Sequence, residues 1–154
     1  MRVEYINPFV EAAFSVLQQV LGVPLQRGEL FLKSFSQPIL GVTVIVGLAG
    51  DVQGRVLFDM APKTATAIAS AMNDEEITTM TDLAKATVSE LANMITAQAV
   101  TKLHELGFRF ELTPPTLITG EKMEISDNDT EALIVPVDMP QGKMEINVAV
   151  REES

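Results

Sequence analysis

The sequence lacks several residues on which familiar active sites depend. Its 154 residues include no cysteine and a single histidine, His104. The absence of cysteine excludes disulfides, thiolate metal sites and cysteine nucleophiles. A single histidine argues against a zinc site built on several imidazoles and against a Ser-His-Asp triad. The chemistry left to the chain is that of carboxylates, amides and hydroxyls.

Positive charge is also scarce. The chain has 11 Lys and Arg residues against 21 Asp and Glu residues, so its formal net charge is −10. Phosphate backbones and anionic membrane surfaces repel such a chain, and neither nucleic acid nor a membrane is an expected partner. No apolar run approaches the roughly 20 residues of a membrane span. The N-terminus lacks the basic and apolar regions of a secretory signal, so the sequence predicts a cytoplasmic protein.

The length and composition fit one folded domain. Hydrophobic residues make up 47% of the chain and charged residues 21%, which is a globular rather than a disordered composition. A chain of this size can bury a large core and lies within the range of single domains. We therefore expect residues 1–154 to form a single domain.

Two helices are predicted before the middle of the chain. The first has Asn7 as its N-cap and Pro8 at its first helical position, and it ends at Gly22. The second is short and covers residues 63–72.

A longer helical segment follows. It begins at a capping box formed by Thr79 and Asp82 and stops at Gly107. With a rise of about 1.5 Å per residue it would be about 40 Å long, which leaves open a break into two helices.

The rest of the chain favours strands. The β-branched run 42–46 predicts an interior strand, and residues 52–58 are expected to pair back on it as a hairpin. Pro136 predicts that its strand lies at a sheet edge. The other predicted strands are 109–112, 116–119, 131–137 and 143–150. The resulting fold class is α+β, a mostly antiparallel sheet packed with about three helices.

The long helix carries a Glu-x-x-Asn pattern formed by Glu90 and Asn93. Residues three apart on a helix lie on one face within side-chain reach. The carboxylate can pair with a cation, and the amide can hold a water by donating one hydrogen bond and accepting another. Ala86 and Ala97 flank the pair, and their small side chains would let a partner's backbone approach. Spacing alone still favours a solvated helix face over an active site.

Three segments of the chain carry a likeness to a known family. They are Ile6-Asn7-Pro8-Phe9-Val10-Glu11-Ala12, Ser89-Glu90-Leu91-Ala92-Asn93-Met94, and Thr113-Pro114-Pro115-Thr116 followed by Gly120. In this order and approximate spacing they resemble the CheX branch of the CheC/CheX/FliY family of chemotaxis (CheY-type) phosphatases. The likeness covers essentially the whole chain.

The resemblance implies a function and a partner. It implies a protein aspartyl-phosphate phosphatase that acts on a phosphorylated CheY-like receiver domain of a response regulator. Asn93 would orient the attacking water, and Glu90 would pair with the receiver's active-site lysine. Mg²⁺ would be held by the receiver, so no cofactor of the chain's own is implied. The resemblance also implies a homodimer joined through a sheet edge.

Two departures from the family pattern bear on this assignment. Family members often have Ser or Asp four residues before the glutamate, where this chain has Ala86 and so lacks a hydrogen-bonding side chain. CheC-like members carry a second Glu-x-x-Asn on the first helix, whereas the corresponding spacing here gives Glu11 and Phe14. A single copy fits the CheX branch. The alternative function is a non-catalytic module that binds a receiver or serves as a flagellar-switch-like component.

Overall fold

The structure of the protein is a computed structural model that describes residues 3–152, without the side chains of residues 3, 33–37, 52, 125–131 and 151–152. In this range the chain forms three helices, α1 (Val3–Leu21), α2 (Pro62–Asn73) and α3 (Asp82–Glu105). The strands are β1 (Gln26–Arg27), β2 (Phe31–Pro38), β3 (Val42–Gly50), β4 (Val52–Met60), β5 (Phe110–Leu112), β6 (Thr116–Thr119), β7 (Glu124–Met139) and β8 (Gly142–Glu152).

All the strands belong to one antiparallel sheet. Its order is β1-β7-β8-β4-β3-β5, with β2 also paired to β7 and β6 also paired to β3. Strand β3 pairs with β4 on one side and with β5 and β6 on the other, so its prediction as an interior strand is confirmed. The predicted α+β class, antiparallel sheet and long helix are confirmed as well.

The main core lies between one face of the sheet and the helices. Alternate residues of β3, Val42, Val44 and Val46, are fully buried on this face because successive side chains of a strand point to opposite sides. They belong to the same cluster as Phe9 of α1 and Leu91 of α3. This burial fixes α3 along the sheet and determines which of its faces remains exposed.

Helix α1 begins earlier than the sequence predicts. It starts at Val3 and contains Pro8 in its interior, so the prediction of Asn7 as N-cap and Pro8 as first helical residue is wrong. The reason is burial upstream of the proline: Tyr5 is 3% exposed, and its ring packs edge-on against Phe108 at a centroid distance of 4.9 Å. This packing outweighs the loss of one backbone hydrogen bond at the proline.

Helix α3 is continuous over 24 residues, so the possible break is absent. Its N-cap is Thr81 rather than Thr79, and the Thr81 side chain accepts a hydrogen bond from the Ala84 N–H at 3.1 Å. The predicted capping box of Thr79 with Asp82 is therefore wrong by two residues. The predicted stop at Gly107 is confirmed, since this glycine has φ of 97° just after the helix.

Pro136 does not mark an edge strand. Strand β7 lies inside the sheet, with β8 on one side and β1 and β2 on the other. The proline is accommodated at the junction between β1 and β2, where its carbonyl accepts a hydrogen bond from the Gly28 N–H at 2.9 Å. The ladder is interrupted there, so the missing N–H costs little, and the edge prediction is wrong for this reason.

Asp59 is a buried carboxylate in β4. It is 2% exposed, and its carboxylate accepts hydrogen bonds from the Leu40 N–H at 3.0 Å and from the Thr43 hydroxyl at 2.8 Å. Burial disfavours the charged form and raises the pKa of Asp59 above its ordinary value, and repulsion from Glu145 adds to the increase.

We expect Asp59→Asn to become more stable relative to the parent protein as pH rises. Asparagine keeps an acceptor oxygen but does not titrate. In the parent, the unfolded chain loses the Asp59 proton at a lower pH than the folded chain does. The free energy of unfolding of the parent therefore falls as pH rises, until pH passes the raised pKa. Denaturant unfolding from acidic to neutral pH measures this difference, with the exposed Asp138→Asn as control. Parallel pH curves for Asp59→Asn and the parent would contradict the prediction.

Candidate active site

Helix α3 presents the Glu-x-x-Asn pair away from the core. Glu90 is exposed, and Asn93 is half-buried at the margin of the packed face. The two residues lie about 4.5 Å apart along the helix axis and about 60° apart around it, as expected for helical residues three apart. The buried face of α3 is formed by Ala84, Val88, Leu91, Ala92, Ile95, Thr96, Ala99, Val100 and Leu103.

Both side chains of the pair are available to a partner. Within the described part of the chain, neither Glu90 nor Asn93 makes a side-chain hydrogen bond or an ion pair. The one buried and unpartnered side-chain polar atom among the described residues belongs to Gln141, so the Asn93 amide also reaches solvent. A carboxylate and an amide held side by side and unpaired can bind a cation and a water.

A groove opens beside Glu90, between the end of α2 and the first half of α3. It has a volume of about 290 Å³. Met72 and Asn73 of α2 form one wall. Ala86, Thr87 and Glu90 of α3 form the other. We call it the α2–α3 groove, and it makes Glu90 part of a concave surface rather than of an isolated helix face.

Asn73 holds the two walls of the α2–α3 groove together. Its side-chain amide donates to the Thr87 hydroxyl at 2.9 Å and to the Ala69 carbonyl at 2.8 Å. The Thr87 hydroxyl in turn donates to the Leu83 carbonyl at 2.7 Å. This chain of bonds joins α2 to α3 one turn before Glu90 and fixes the groove's width.

The structure adds residues that the sequence analysis missed. Met72 and Asn73 are distant from Glu90 in sequence and reach it only through the packing of α2 on α3. A second omission was visible in the sequence: Glu4 and Asn7 repeat the Glu-x-x-Asn spacing on α1. The chain therefore carries two copies of the pattern, and the prediction of a single copy is wrong.

The two copies stand in different surroundings. Glu4 and Asn7 are exposed on α1 and line a separate depression of about 380 Å³ near the end of α3. An ion pair between Lys102 and Glu11 lies in that depression. Glu11 raises the pKa of Lys102 through this hydrogen bond and its charge. The α3 copy has no such ion pair and borders the α2–α3 groove.

The Glu90–Asn93 pair and both walls of the α2–α3 groove fall within residues 42–138, and this range matches the model of a family described as chemotaxis phosphatase CheX. The match covers more than half of the chain. The chain belongs to the CheX family. None of the helices that the structure describes is both long and apolar enough to cross a membrane.

Individual proteins are similar to this chain over 81% to 98% of its length. The CheY-P phosphatase CheX of Thermotoga maritima is 25% identical over 126 residues, 81% of each protein. A chain in the crystal structure of the CheX–CheY–BeF₃–Mg²⁺ complex from Borrelia burgdorferi is 46% identical, with a TM-score of 0.86 over 98% of this chain and 100% of that chain. FliY of Thermotoga maritima shares the fold at 16% identity, with a TM-score of 0.67 over 97% of this chain and 91% of that chain.

Proposed function

We propose that this CheX-family chain is a phosphatase that hydrolyses the aspartyl phosphate of a CheY-like receiver domain. The observation that carries the proposal is that exposed Glu90 and half-buried Asn93 lie side by side on α3 with no partner for either side chain among the described residues, and that Glu90 borders a groove that a protein partner can enter. Residues 1–154 would perform this function as one domain in the cytoplasm.

In the proposed reaction Asn93 positions the nucleophile. Its amide accepts a hydrogen bond from the attacking water and donates one to an oxygen of the phosphoryl group, which aligns the water with the bond to be broken. The water oxygen bonds to phosphorus and the aspartyl carboxylate leaves with the electron pair of the broken P–O bond, while both protons of the water remain on the released phosphate, H₂PO₄⁻. Phosphoryl transfer depends on positioning and charge neutralisation, so no covalent intermediate on this chain is required.

Glu90 is proposed to place the two proteins in register. Its exposed carboxylate would form an ion pair with the receiver's active-site lysine, and this contact brings Asn93 to the phosphoryl group. Mg²⁺ would remain bound to the receiver. The Borrelia burgdorferi complex of CheX with CheY, BeF₃ and Mg²⁺ supports a receiver as partner, because its CheX is 46% identical to this chain.

A phosphatase assay separates this function from non-catalytic docking, which is the second candidate because a shared fold does not determine function. The assay measures the loss of phosphate from a Mg²⁺-loaded phospho-receiver, with this chain present at about one-twentieth of the receiver concentration. We expect most of the receiver to be dephosphorylated faster than by its own hydrolysis. Stable binding without this turnover would support the docking module instead.

We propose that a homodimer forms through the β1/β2 edge of the sheet. Beside this edge three consecutive apolar residues, Leu30, Phe31 and Leu32, are 37%, 38% and 59% exposed. The opposite edge, formed by β5 and β6, exposes the polar residues Glu111 and Thr116. An apolar edge strand is a ready surface for pairing with a second copy.

Leu32→Lys is expected to shift the protein from dimer to monomer. A lysine on the edge strand opposes pairing with another copy, since its ammonium would lose water on burial in the interface. Light scattering after gel filtration measures the mass. Leu106→Lys, which adds the same charge at an exposed leucine after α3, serves as control and should stay dimeric. Dimers from both variants would exclude this edge.

A further inference from the structure

The Glu90–Asn93 pair is too small to hold a receiver domain by itself. Specific protein interfaces bury roughly 800 Å² on each partner and draw most of their affinity from a few apolar or aromatic residues near the centre. The rest of the interface must therefore lie on the surface around Glu90. Its apolar and exposed side chains are the candidates for this role.

Leu83 is a large apolar residue on this surface. It is 45% exposed in the first turn of α3. It precedes Glu90 by seven residues, so the two side chains leave the helix within about 20° of the same direction and about 10 Å apart along the axis. Leu83 therefore lies on the same face as the motif, where a bound partner would cover its exposed side chain.

The α2–α3 groove continues this apolar surface toward Glu90. The α3 wall of the groove is shallow at Ala86 because alanine has a short side chain. Met72 contributes a flexible apolar side chain from α2. The groove ends at Glu90 itself. Leu83, the groove and the motif thus form one continuous surface about 15 Å long on α3.

We propose that Leu83, Ala86 and Met72 form the apolar docking surface that binds the receiver, with Leu83 as its anchor and the α2–α3 groove accepting one receiver side chain. The inference rests on the proposed function and names the residues that give it affinity. Continuity with Glu90 identifies the occupant as the receiver. Asp74, Glu75 and Glu76 are exposed directly after α2, so an anionic membrane or a nucleic acid would be repelled from this surface.

The anchor is tested with Leu83→Gln against Leu106→Gln. Both leucines are exposed at opposite ends of α3, and glutamine suits a helix without adding charge to either end of its dipole. The probe is the CheY receiver of the Borrelia burgdorferi complex with Mg²⁺ and BeF₃⁻, titrated by calorimetry. We expect Leu83→Gln to weaken binding on the order of tenfold, as for loss of about half of a leucine's burial, and Leu106→Gln to change it less than twofold.

The groove is tested with Ala86→Leu, which fills it without changing charge. Thr101→Leu adds a leucine at an exposed position near the far end of the same helix and serves as control. We expect Ala86→Leu to weaken receiver binding at least tenfold and to raise KM by the same factor while kcat changes less than twofold. Circular dichroism melting of each variant shows whether the fold is retained.

The outcomes separate this inference from the proposed function. Equal affinities for Leu83→Gln and Leu106→Gln, with a folded Ala86→Leu that binds like the parent, would overturn the docking surface. A parent that binds the receiver without accelerating dephosphorylation would overturn the phosphatase and not the docking surface. A parent that binds no receiver would overturn both. A fall in kcat at unchanged KM would assign these residues to water positioning instead of docking.

Discussion

Asn93→Ala is expected to lower the rate of receiver dephosphorylation at least about a hundredfold, close to the receiver's own rate. Alanine removes both the donor and the acceptor that would hold the attacking water in line with the phosphoryl group. The fold should be unaffected, because the Asn93 side chain makes no hydrogen bond within the described part of the chain. Single-turnover loss of phosphate from a saturated receiver measures the effect.

Receiver binding should largely survive this substitution. The water bound by Asn93 belongs to the transition state, so its loss acts on the chemical step more than on the formation of the complex. Calorimetry with the BeF₃⁻-loaded receiver should give a dissociation constant within a few-fold of the parent's. A large loss of affinity would instead make Asn93 a docking residue and leave the water without an assigned partner.

The second Glu-x-x-Asn of the chain supplies a matched control. Asn7→Ala removes the same side chain from the same spacing on a helix, at an exposed position away from the α2–α3 groove. We expect its turnover to equal that of the parent. If Asn7→Ala were as slow as Asn93→Ala, the motif's place on α3 would not explain the activity. An unchanged rate for Asn93→Ala would remove the assigned role altogether.

The contrast between the two copies shows what the sequence can predict of this site. Spacing identifies which residues share a helix face, and it did so correctly for Glu90 and Asn93. It cannot tell which of two such pairs borders a groove, because the groove depends on the contact of α2 with α3. The hydrogen bond from Asn73 to Thr87 that fixes this contact joins residues 14 apart in sequence.

The fold, like the site, could be predicted where local sequence patterns determine it and not where tertiary contacts do. Local patterns predicted β3 and the three helices, because β-branched runs and helical apolar spacing reflect which side chains are buried. They failed where tertiary contacts outweighed a local preference. Burial of Tyr5 extends α1 through Pro8, and the junction of β1 with β2 admits Pro136 inside the sheet. Both errors have one cause: proline's local preference for the first turn of a helix or the edge of a sheet can be overridden by neighbours that are distant in sequence.

Glu90→Ala should reduce both receiver affinity and turnover, each by about thirtyfold or more. Truncating one member of a desolvated ion pair at an interface costs about 2–5 kcal/mol, largely because the partner's charge is left unpaired. Here that charge would be the receiver's lysine. Calorimetry with the BeF₃⁻-loaded receiver and the phosphatase assay at saturating receiver measure the two effects separately.

Two further variants identify the physical origin of that loss. Glu105→Ala removes an equal charge from an exposed position at the far end of α3 and should bind the receiver like the parent at moderate salt. Glu90→Gln keeps the size of the side chain and removes only its charge, so it should lose nearly as much affinity as Glu90→Ala if an ion pair is responsible. Parent-like binding by Glu90→Gln would show that Glu90 contributes by packing against the receiver. In that case the register of the complex would depend on the apolar surface of Leu83 and the α2–α3 groove instead of on charge.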